Sequence, residues 1–256
     1  MRLAGQDLVV GYDDRTVIDG LSVQIPPGGL TVIIGPNACG KSTLLRTLGR
    51  LLKPRGGSVL LDGEVLHDLP PRQVAQRLGV LPQSPLVPEG VTVADLVARG
   101  RQPHQRWWQQ WSPADRAAVD TALADADITD LADRPVEALS GGQRQRVWIA
   151  MALAQQTEAL LLDEPTTFLD PAHQVDVLRL MRRLQQGGRT VVAVLHDLNQ
   201  AARYADHVIA MKSGRIIAAG PPPEVLTEPL IHDVFSLPCT VIPDPLTGSP
   251  LVIPHP

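Results

Sequence analysis

The stretch Gly35-Pro-Asn-Ala-Cys-Gly-Lys-Ser-Thr43 has the G-x-x-x-x-G-K-[ST] spacing of a phosphate-binding loop. The apolar, β-branched run 30–34 precedes it and is typical of a buried parallel strand. The run 42–48 follows with helix-forming residues and no breaker. A strand, a glycine-containing turn and a helix start place backbone N–H groups around an anion at the positive end of the helix. The stretch therefore predicts an α/β fold with a phosphate site at this turn.

The side chains of this loop suggest how a nucleotide and a metal ion would be held. Lys41 can reach the β- and γ-phosphates, and the Ser42 hydroxyl can ligate Mg²⁺. The middle residues Ala38 and Cys39 depart from the commoner glycine-rich pattern, but both are small and we expect little effect. The predicted binding residues are Gly35, Pro36, Asn37, Ala38, Cys39, Gly40, Lys41, Ser42 and Thr43.

Composition and charge exclude several classes of protein. The chain has 256 residues and a net charge of −4, which argues against a general nucleic-acid binder. Cys39 and Cys239 show no paired spacing, so we expect neither a disulfide framework nor a zinc site. No apolar run approaches the length that spans a bilayer, and the N-terminus lacks the layout of a signal peptide. A reducing cytoplasm is the expected setting.

Two carboxylates follow the apolar run 159–162, which predicts a buried strand. At the carboxyl end of a parallel strand, Asp163 would hold Mg²⁺ directly or through water, and Glu164 would polarise the attacking water. The alternative is a pair of acids that caps the following helix. Together with the phosphate loop, the pair favours the catalytic interpretation.

A second helix start stands at Leu139-Ser-Gly-Gly-Gln143, which opens directly into a predicted helix over 144–154. Ser140 can cap that helix, and the N–H groups of its first turn would point outward. The turn therefore offers a second anion-binding terminus, separate from the first. An ordinary capped loop is the alternative.

Three single residues allow two interpretations each from position alone. Tyr12 could stack on an adenine base or be a half-buried turn tyrosine. Gln83 follows a predicted strand and could contact a ligand or be an exposed loop residue. His196 follows the apolar run 190–195. It could contact a ligand, because open α/β sheets bind ligands at the carboxyl ends of their strands, or it could be a core histidine with satisfied hydrogen bonds.

An unusual stretch, 99–111, holds three of the four tryptophans among arginines. It could bind a partner, or its rings could pack a helical subdomain that has little else aromatic. Helices are predicted on both sides, since Thr92–Asp95 and Ser112–Asp115 have the spacing of N-terminal caps.

The remaining segments predict a regular alternation of elements. We expect antiparallel strands over 3–25, hairpins around Asp62-Gly63 and Ser213-Gly214, and an extended tail over 238–256. Apolar faces are predicted on three helices: Val119, Ala122, Leu123 and Ala126 on the first, Val147, Ala150, Met151 and Ala154 on the second, and Val175, Leu178, Met181 and Leu184 on the third.

Over essentially its whole length, the chain resembles the ATP-binding subunit of an ABC transporter. The residues that carry the resemblance, in order, are Tyr12, the loop 35–43, Gln83, Leu-Ser-Gly-Gly-Gln at 139–143, Leu-Leu-Leu-Asp-Glu-Pro at 160–165, Asp170 and His196. The resemblance implies a P-loop NTPase (RecA-like) α/β core at 1–87 and 156–256, with an N-terminal antiparallel β subdomain. It also implies an inserted α-helical subdomain at 88–155.

The same resemblance implies a head-to-tail dimer that binds ATP and Mg²⁺. ATP on the phosphate loop of one subunit would be capped by Ser140, Gly141, Gly142 and Gln143 of the second copy. Tyr12 would stack on the adenine, His196 would contact the γ-phosphate, and Asp170 would serve communication between the two sites. The implied metal residues are Ser42, Gln83 and Asp163, and the implied catalytic residues are Glu164, His196 and Gln83.

A finer resemblance is to the ATPases of bacterial ferric-siderophore importers, a group that includes the vitamin B12 and haem importers. It rests on the segments 100–105 with Trp107 and Trp111, 196–206 and 244–253. It implies a peripheral subunit at the cytoplasmic face of the bacterial plasma membrane. Its partners would be integral-membrane permease subunits and, indirectly, a substrate-binding protein, with no nucleic acid.

The groove between the Gln83 loop and the helical subdomain is the hypothesised permease contact, with Arg99 and Arg101 beside it.

Three rivals remain. A soluble ABC-type ATPase that acts on DNA or ribosomes would usually carry coiled-coil insertions or two ATPase halves. A P-loop kinase would not need residues 139–143. A nucleotide-binding scaffold without turnover would not need the pair Asp163-Glu164.

Overall fold

The computed structural model describes residues 1–83, 89–105, 111–167 and 169–256. The strands of the described residues are β1 (Leu3–Tyr12), β2 (Arg15–Ile25), β3 (Leu30–Ile34), β4 (Gly56–Leu61), β5 (Glu64–Val65), β6 (Leu78–Leu81), β7 (Ala159–Leu162), β8 (Thr190–Val194), β9 (His207–Lys212), β10 (Arg215–Gly220), β11 (Cys239–Pro243) and β12 (Pro250–Pro254). The helices are α1 (Lys41–Leu48), α2 (Pro71–Arg77), α3 (Val93–Ala98), α4 (Pro113–Asp125), α5 (Gly141–Ala154), α6 (Pro171–Gln186), α7 (Leu198–Tyr204), α8 (Pro222–Val225) and α9 (Glu228–Phe235).

The central sheet has the strand order β10-β9-β3-β8-β7-β6. Its strands pair in parallel except for β10, which runs antiparallel to β9. Every residue of β3, β7 and β8 is buried, as expected for parallel strands that are covered on both faces. The predicted strands at 30–34, 159–162 and 190–195 are confirmed, and the carboxyl ends of β6, β7 and β8 meet at one edge of this sheet.

An antiparallel sheet of order β2-β1-β4-β5 packs over one face of the central sheet. Its inner residues share a buried cluster with β3 and α1, represented by Leu8, Ile33 and Leu44. The hairpin between β4 and β5 turns at Asp62 and Gly63, with φ of 52° and 90°. Positive φ at both central residues is what a two-residue turn demands, and Asp-Gly supplies it at low cost. The predicted antiparallel N-terminal strands are confirmed.

Helices α3, α4 and α5 pack against one another on the far side of β6. Ser112 and Ser140 each form a complete capping box, with Asp115 and Gln143 respectively. Thr92 accepts the N–H of Asp95, but the Asp95 carboxylate bonds the Thr92 hydroxyl and not its backbone N–H. The predicted cap at Thr92 is therefore half formed, because the Asp95 carboxylate is engaged by the Thr92 hydroxyl instead of the Thr92 N–H.

Two predicted apolar faces were incomplete. Helix α5 is buried on more than one face, since Trp148, Ile149, Ala152 and Leu153 are buried as well as Val147. The reason is its position between α3, α4 and the sheet. On α6, Val177 and Leu180 belong to the core, whereas the predicted Val175 is only partly buried.

The C-terminal stretch is an antiparallel hairpin of β11 and β12, not one extended tail. Asn199 of α7 fixes it, because its amide donates to the Val252 carbonyl at 3.2 Å and accepts the Val252 N–H at 2.7 Å. Arg203 of the same helix pairs with Asp244 in the hairpin turn. Helix α9, which precedes the hairpin, was not predicted, although Thr227, Glu228 and Pro229 form a recognisable helix start.

None of the helices in the described residues is sufficiently long and apolar to cross a bilayer. The division into 1–87, 88–155 and 156–256 stays a prediction, and its first boundary lies outside the described residues.

Candidate functional site

The loop between β3 and α1 has the backbone that its glycines were expected to provide. A Cβ on Gly35 would lie 2.3 Å from the Met211 carbonyl oxygen, so only glycine fits this close approach. Gly40 has φ of 107° and precedes the first turn of α1. Ala38 adopts φ of 60°, a left-handed conformation that is uncommon for a residue with a Cβ. The backbone therefore curls tightly ahead of the helix N-terminus.

The Lys41 ammonium lies inside this curl. Its Nζ donates to the carbonyl oxygens of Gly35 at 2.8 Å and Pro36 at 2.9 Å. Cys39 is buried in the same loop, and burial raises the pKa of its thiol while the nearby Lys41 charge partly opposes the shift. The cation is thus enclosed by the loop that is predicted to receive phosphates.

Ser42 and Asp163 meet although they are far apart in the sequence. The Ser42 hydroxyl donates to Asp163 Oδ1 at 2.7 Å, and the Asp163 side chain is almost fully buried, at 1% exposure. Burial raises the pKa of the Asp163 carboxyl, and the bond from Ser42 and the charge of Arg46 oppose the shift. Among the described residues, Asp163 Oδ2 has no hydrogen-bond partner, and the Arg46 Nε lies 3.5 Å away.

A buried carboxylate oxygen without a partner beside a hydroxyl fits a hard cation, because Mg²⁺ prefers oxygen ligands. The side chains of Ser42 and Asp163 therefore fit a magnesium ion. Arg46 was missed by sequence reasoning, although its position four residues after Ser42 on a helix places both on one face.

The Glu164 side chain, which follows β7, contacts side chains that follow β6 and β8. Its Oε2 accepts the Gln83 amide at 2.6 Å and the Thr167 hydroxyl at 3.1 Å. Its Oε1 lies 2.8 Å from His196 Nε2, and the side chain is 12% exposed. The backbone φ of Glu164 is 52°, which is uncommon for this residue type. Sequence reasoning missed Thr167, which lies one turn after Glu164.

A cleft of about 750 Å³ lies in front of the loop and of Glu164. Tyr12 stands at its rim with 42% of its surface exposed. The lining residues are Tyr12, Asp13, Arg15, Val17, Asn37, Ala38, Gly40, Lys41, Ser42, Thr43, Gln83, Glu164, Thr167 and His196. The structure thus brings Tyr12, Gln83, Glu164 and His196 together with the phosphate loop.

The second predicted helix start is not part of this cleft. Within the described ranges, the lining includes neither residues 140–143 nor Asp170. Ser140 and Gly141 are exposed, and the Ser140 hydroxyl accepts the Gln143 N–H at 3.3 Å. Asp170 is also exposed and caps α6. Ser140, Gly141 and Asp170 therefore face solvent in a single copy of the chain.

The predicted role of Arg101 in a partner contact is wrong. Its side chain is 5% exposed and donates to Asp115 Oδ1 at 2.8 Å and to the Ala154 carbonyl at 2.7 Å. The Arg101 guanidinium forms a buried ion pair with Asp115 inside the helical subdomain, so a partner protein cannot reach it. Arg99 is exposed. Of the tryptophans in this stretch, Trp111 is exposed, and Trp107 and Trp108 lie outside the described residues.

Comparison with known proteins identifies the family of the chain. The family model for the ABC transporter matches residues 18–167. The chain is 55% identical over 254 residues to the protein of Bacillus subtilis (strain 168) named "Probable siderophore transport system ATP-binding protein YusV", covering 99% of this chain and 92% of that protein. It is 53% identical over 254 residues to the ferric enterobactin transport ATP-binding protein FepC of Escherichia coli (strain K12), covering 99% and 94%.

Solved structures give the same result. A metal-chelate type ABC transporter in an inward-facing conformation matches with a TM-score of 0.85 and 30% identity, covering 99% of this chain and 97% of that one. The dimeric bacterial ABC transporter cassette MJ0796 matches with a TM-score of 0.76 and 28% identity, covering 86% and 98%. The chain therefore belongs to the ABC transporter family and is one of its ATP-binding, ATP-hydrolysing domains.

Proposed function

We propose that the chain is the ATP-hydrolysing subunit of a binding-protein-dependent importer for ferric siderophores. The observation that carries the hydrolytic part is the Glu164 carboxylate, held by Gln83, Thr167 and His196 at the edge of the cleft. The substrate class is supported by the names of relatives such as YusV and FepC, which are siderophore and ferric enterobactin transport proteins.

The cleft suits a nucleoside triphosphate. The N–H groups of the loop and the Lys41 ammonium would hold the phosphates, and the exposed ring of Tyr12 would stack on the adenine. Ser42 and Asp163, with Gln83 nearby, would hold Mg²⁺, which neutralises charge on the phosphate oxygens when bound. Glu164 would accept a hydrogen bond from the attacking water, and His196 would contact the γ-phosphate.

The turn at 139–143 supports a second copy as partner. An exposed, capped helix N-terminus outside its own cleft is available to complete a phosphate site on another molecule. The dimeric cassette MJ0796 shows that a related domain pairs. The dimer would dock on integral-membrane permease subunits at the cytoplasmic face of the membrane. A substrate-binding protein would deliver the substrate to these permease subunits.

Glu164→Gln tests the hydrolytic role. The amide keeps the shape of the side chain but cannot accept a proton, so we expect turnover to fall by about 100-fold or more while ATP still binds. Glu64→Gln, at an exposed glutamate of the β4–β5 hairpin, is the matched control and should hydrolyse as the wild type does. Equal turnover in wild type and Glu164→Gln would refute the assignment.

Uptake tests the substrate class. A strain that lacks this chain should lose uptake of radiolabelled ferric siderophore and regain it from a plasmid with the wild-type sequence but not with Glu164→Gln. Haem uptake measured in parallel separates the related importer classes. Loss of haem uptake alone would overturn the siderophore proposal.

A further inference from the structure

The two glycines in the turn at 140–143 have different surroundings. A Cβ built on Gly141 would meet no atom within 4 Å. A Cβ on Gly142 would lie 2.7 Å from Cδ2 and 2.8 Å from Cγ of His173. Two carbon atoms that are not bonded do not come so close. A side chain at position 142 would therefore displace either the turn or the imidazole ring of His173, whereas Gly141 has no such neighbour.

The same imidazole holds Asp170. The ring Nδ1 lies 2.6 Å from Asp170 Oδ2, and the His173 backbone N–H donates to Asp170 Oδ1 at 3.0 Å. Both carboxylate oxygens are thus held by one residue, and these two bonds lower the pKa of the Asp170 carboxyl. His173 therefore lies against the first turn of α5 and also bonds the cap of α6.

A second link joins the same two helices further along. Arg146 of α5 donates to Asp176 of α6 at 2.5 Å and to Asp127 at 3.2 Å. This link fixes the helices to each other but touches neither the turn at 140–143 nor Asp170. Among the contacts of the described residues named here, the one that reaches both the turn and Asp170 is made by His173.

We propose that His173 is a positioning residue that sets the distance between the turn at 140–143 and Asp170. This rests on the proposed function, in which both elements face the second copy of the chain. The ring is a spacer with one hydrogen bond, and it contacts neither nucleotide nor metal. Its contribution is to present the two elements to the partner subunit in a fixed relative position.

A double-mutant cycle between Gly142→Ala and His173→Ala tests the proposal. Gly142→Ala forces the turn away from the ring, and we expect turnover to fall by about tenfold or more. Removing the ring makes room for the added methyl group. The double variant should therefore hydrolyse ATP faster than Gly142→Ala alone and within about threefold of His173→Ala alone.

Gly141→Ala is the matched control. Its Cβ would not meet His173, so His173→Ala should not rescue whatever loss it causes. In all of these variants the dissociation constant for ATP, measured by titration calorimetry, should stay near that of wild type because the phosphate loop is untouched.

A further variant tests the hydrogen bond between His173 and Asp170. His173→Asn keeps a donor near the position of Nδ1 but removes the ring, so it should restore Gly142→Ala at least as well as His173→Ala does. A double variant that is as slow as the product of the two single losses would overturn the proposal on His173. Undiminished hydrolysis in Glu164→Gln would instead overturn the proposed function, so the two failures are distinguishable.

Discussion

At the scale of single residues, Glu164 combines an uncommon backbone conformation with a carboxylate that three side chains hold. A positive φ at a residue other than glycine costs free energy, and such strain is found where a side chain must be aimed. Gln83, Thr167 and His196 fix the two carboxylate oxygens. Orientation is thus achieved before any substrate arrives, which is how positioned groups lower a barrier.

Thr167 is predicted to matter through Glu164. Thr167→Val removes the hydroxyl that donates at 3.1 Å, and Thr167→Ser keeps it. A hydrogen bond to a charged group contributes about 1.5 kcal/mol or more, so we expect kcat to fall by about tenfold in Thr167→Val and little in Thr167→Ser. Steady-state ATPase assays measure both, and equal rates in the two variants would contradict the role.

Gly35 is predicted to be essential for the curl of the phosphate loop. Gly35→Ala places a methyl group 2.3 Å from the Met211 carbonyl oxygen, so we expect a loss of about 1–3 kcal/mol in the free energy of unfolding, together with weaker ATP binding. Gly29→Ala is the control, because its Cβ would meet other atoms only at 3.8 Å or more. Urea denaturation and nucleotide titration measure the two effects; equal stability of the two variants would contradict the steric argument.

At the scale of elements, the carboxyl ends of parallel strands explain why residues 83, 164 and 196 meet. The apolar runs predicted β7 and β8, so the sequence was enough to expect Glu164 and His196 at one edge of the sheet. It could not show that His196 bonds Glu164, because that contact depends on the twist and spacing of β7 and β8. The burial of Arg101 was also not predicted, because it depends on a tertiary contact with Asp115, which lies 14 residues away in the chain.

Contacts that need glycine were also only partly predictable. The G-x-x-x-x-G-K-[ST] spacing of the loop predicted that glycine would be needed at Gly35 and Gly40. Nothing local indicated that Gly142 meets an imidazole from α6, since a sequence does not say which helix covers a glycine. Helix α9 was not predicted, although Thr227, Glu228 and Pro229 are local signals of a helix start.

The C-terminal hairpin gives a pH-dependent prediction. The bonds from Arg203 and from the Leu246 N–H hold the pKa of Asp244 at about 2, below its ordinary 3.8. Because the folded pKa is the lower one, the carboxylate stabilises the fold above pH 3.8, and this contribution is lost as the pH falls through about 2. Asp244→Asn keeps an acceptor for the turn but loses the charge.

We therefore expect the variant to have a lower urea midpoint than wild type at neutral pH, and the difference to shrink between about pH 4 and 2. Urea unfolding at several pH values measures it. A difference that is unchanged across this range would show that the charge of Asp244 contributes nothing.

At the scale of the whole molecule, one copy of the chain holds a cleft with a phosphate loop and, elsewhere, an exposed helix start that the cleft does not use. Each lies at a helix N-terminus, a position whose N–H groups suit an anion. The proposed head-to-tail dimer gives each helix start a cleft to complete. Hydrolysis would then belong to the pair, whereas nucleotide binding would belong largely to one chain.

Ser140→Arg tests this division most directly. A long cation at the exposed cap would block the approach of a second copy without touching the phosphate loop. Thr129→Arg, which adds the same side chain at an exposed site between α4 and α5, is the control. ATP binding and ATP hydrolysis should be measured side by side on the three proteins. The account predicts that Ser140→Arg binds ATP within about threefold of wild type and hydrolyses almost none, a loss of about 100-fold or more. Normal turnover in Ser140→Arg would contradict the two-chain site.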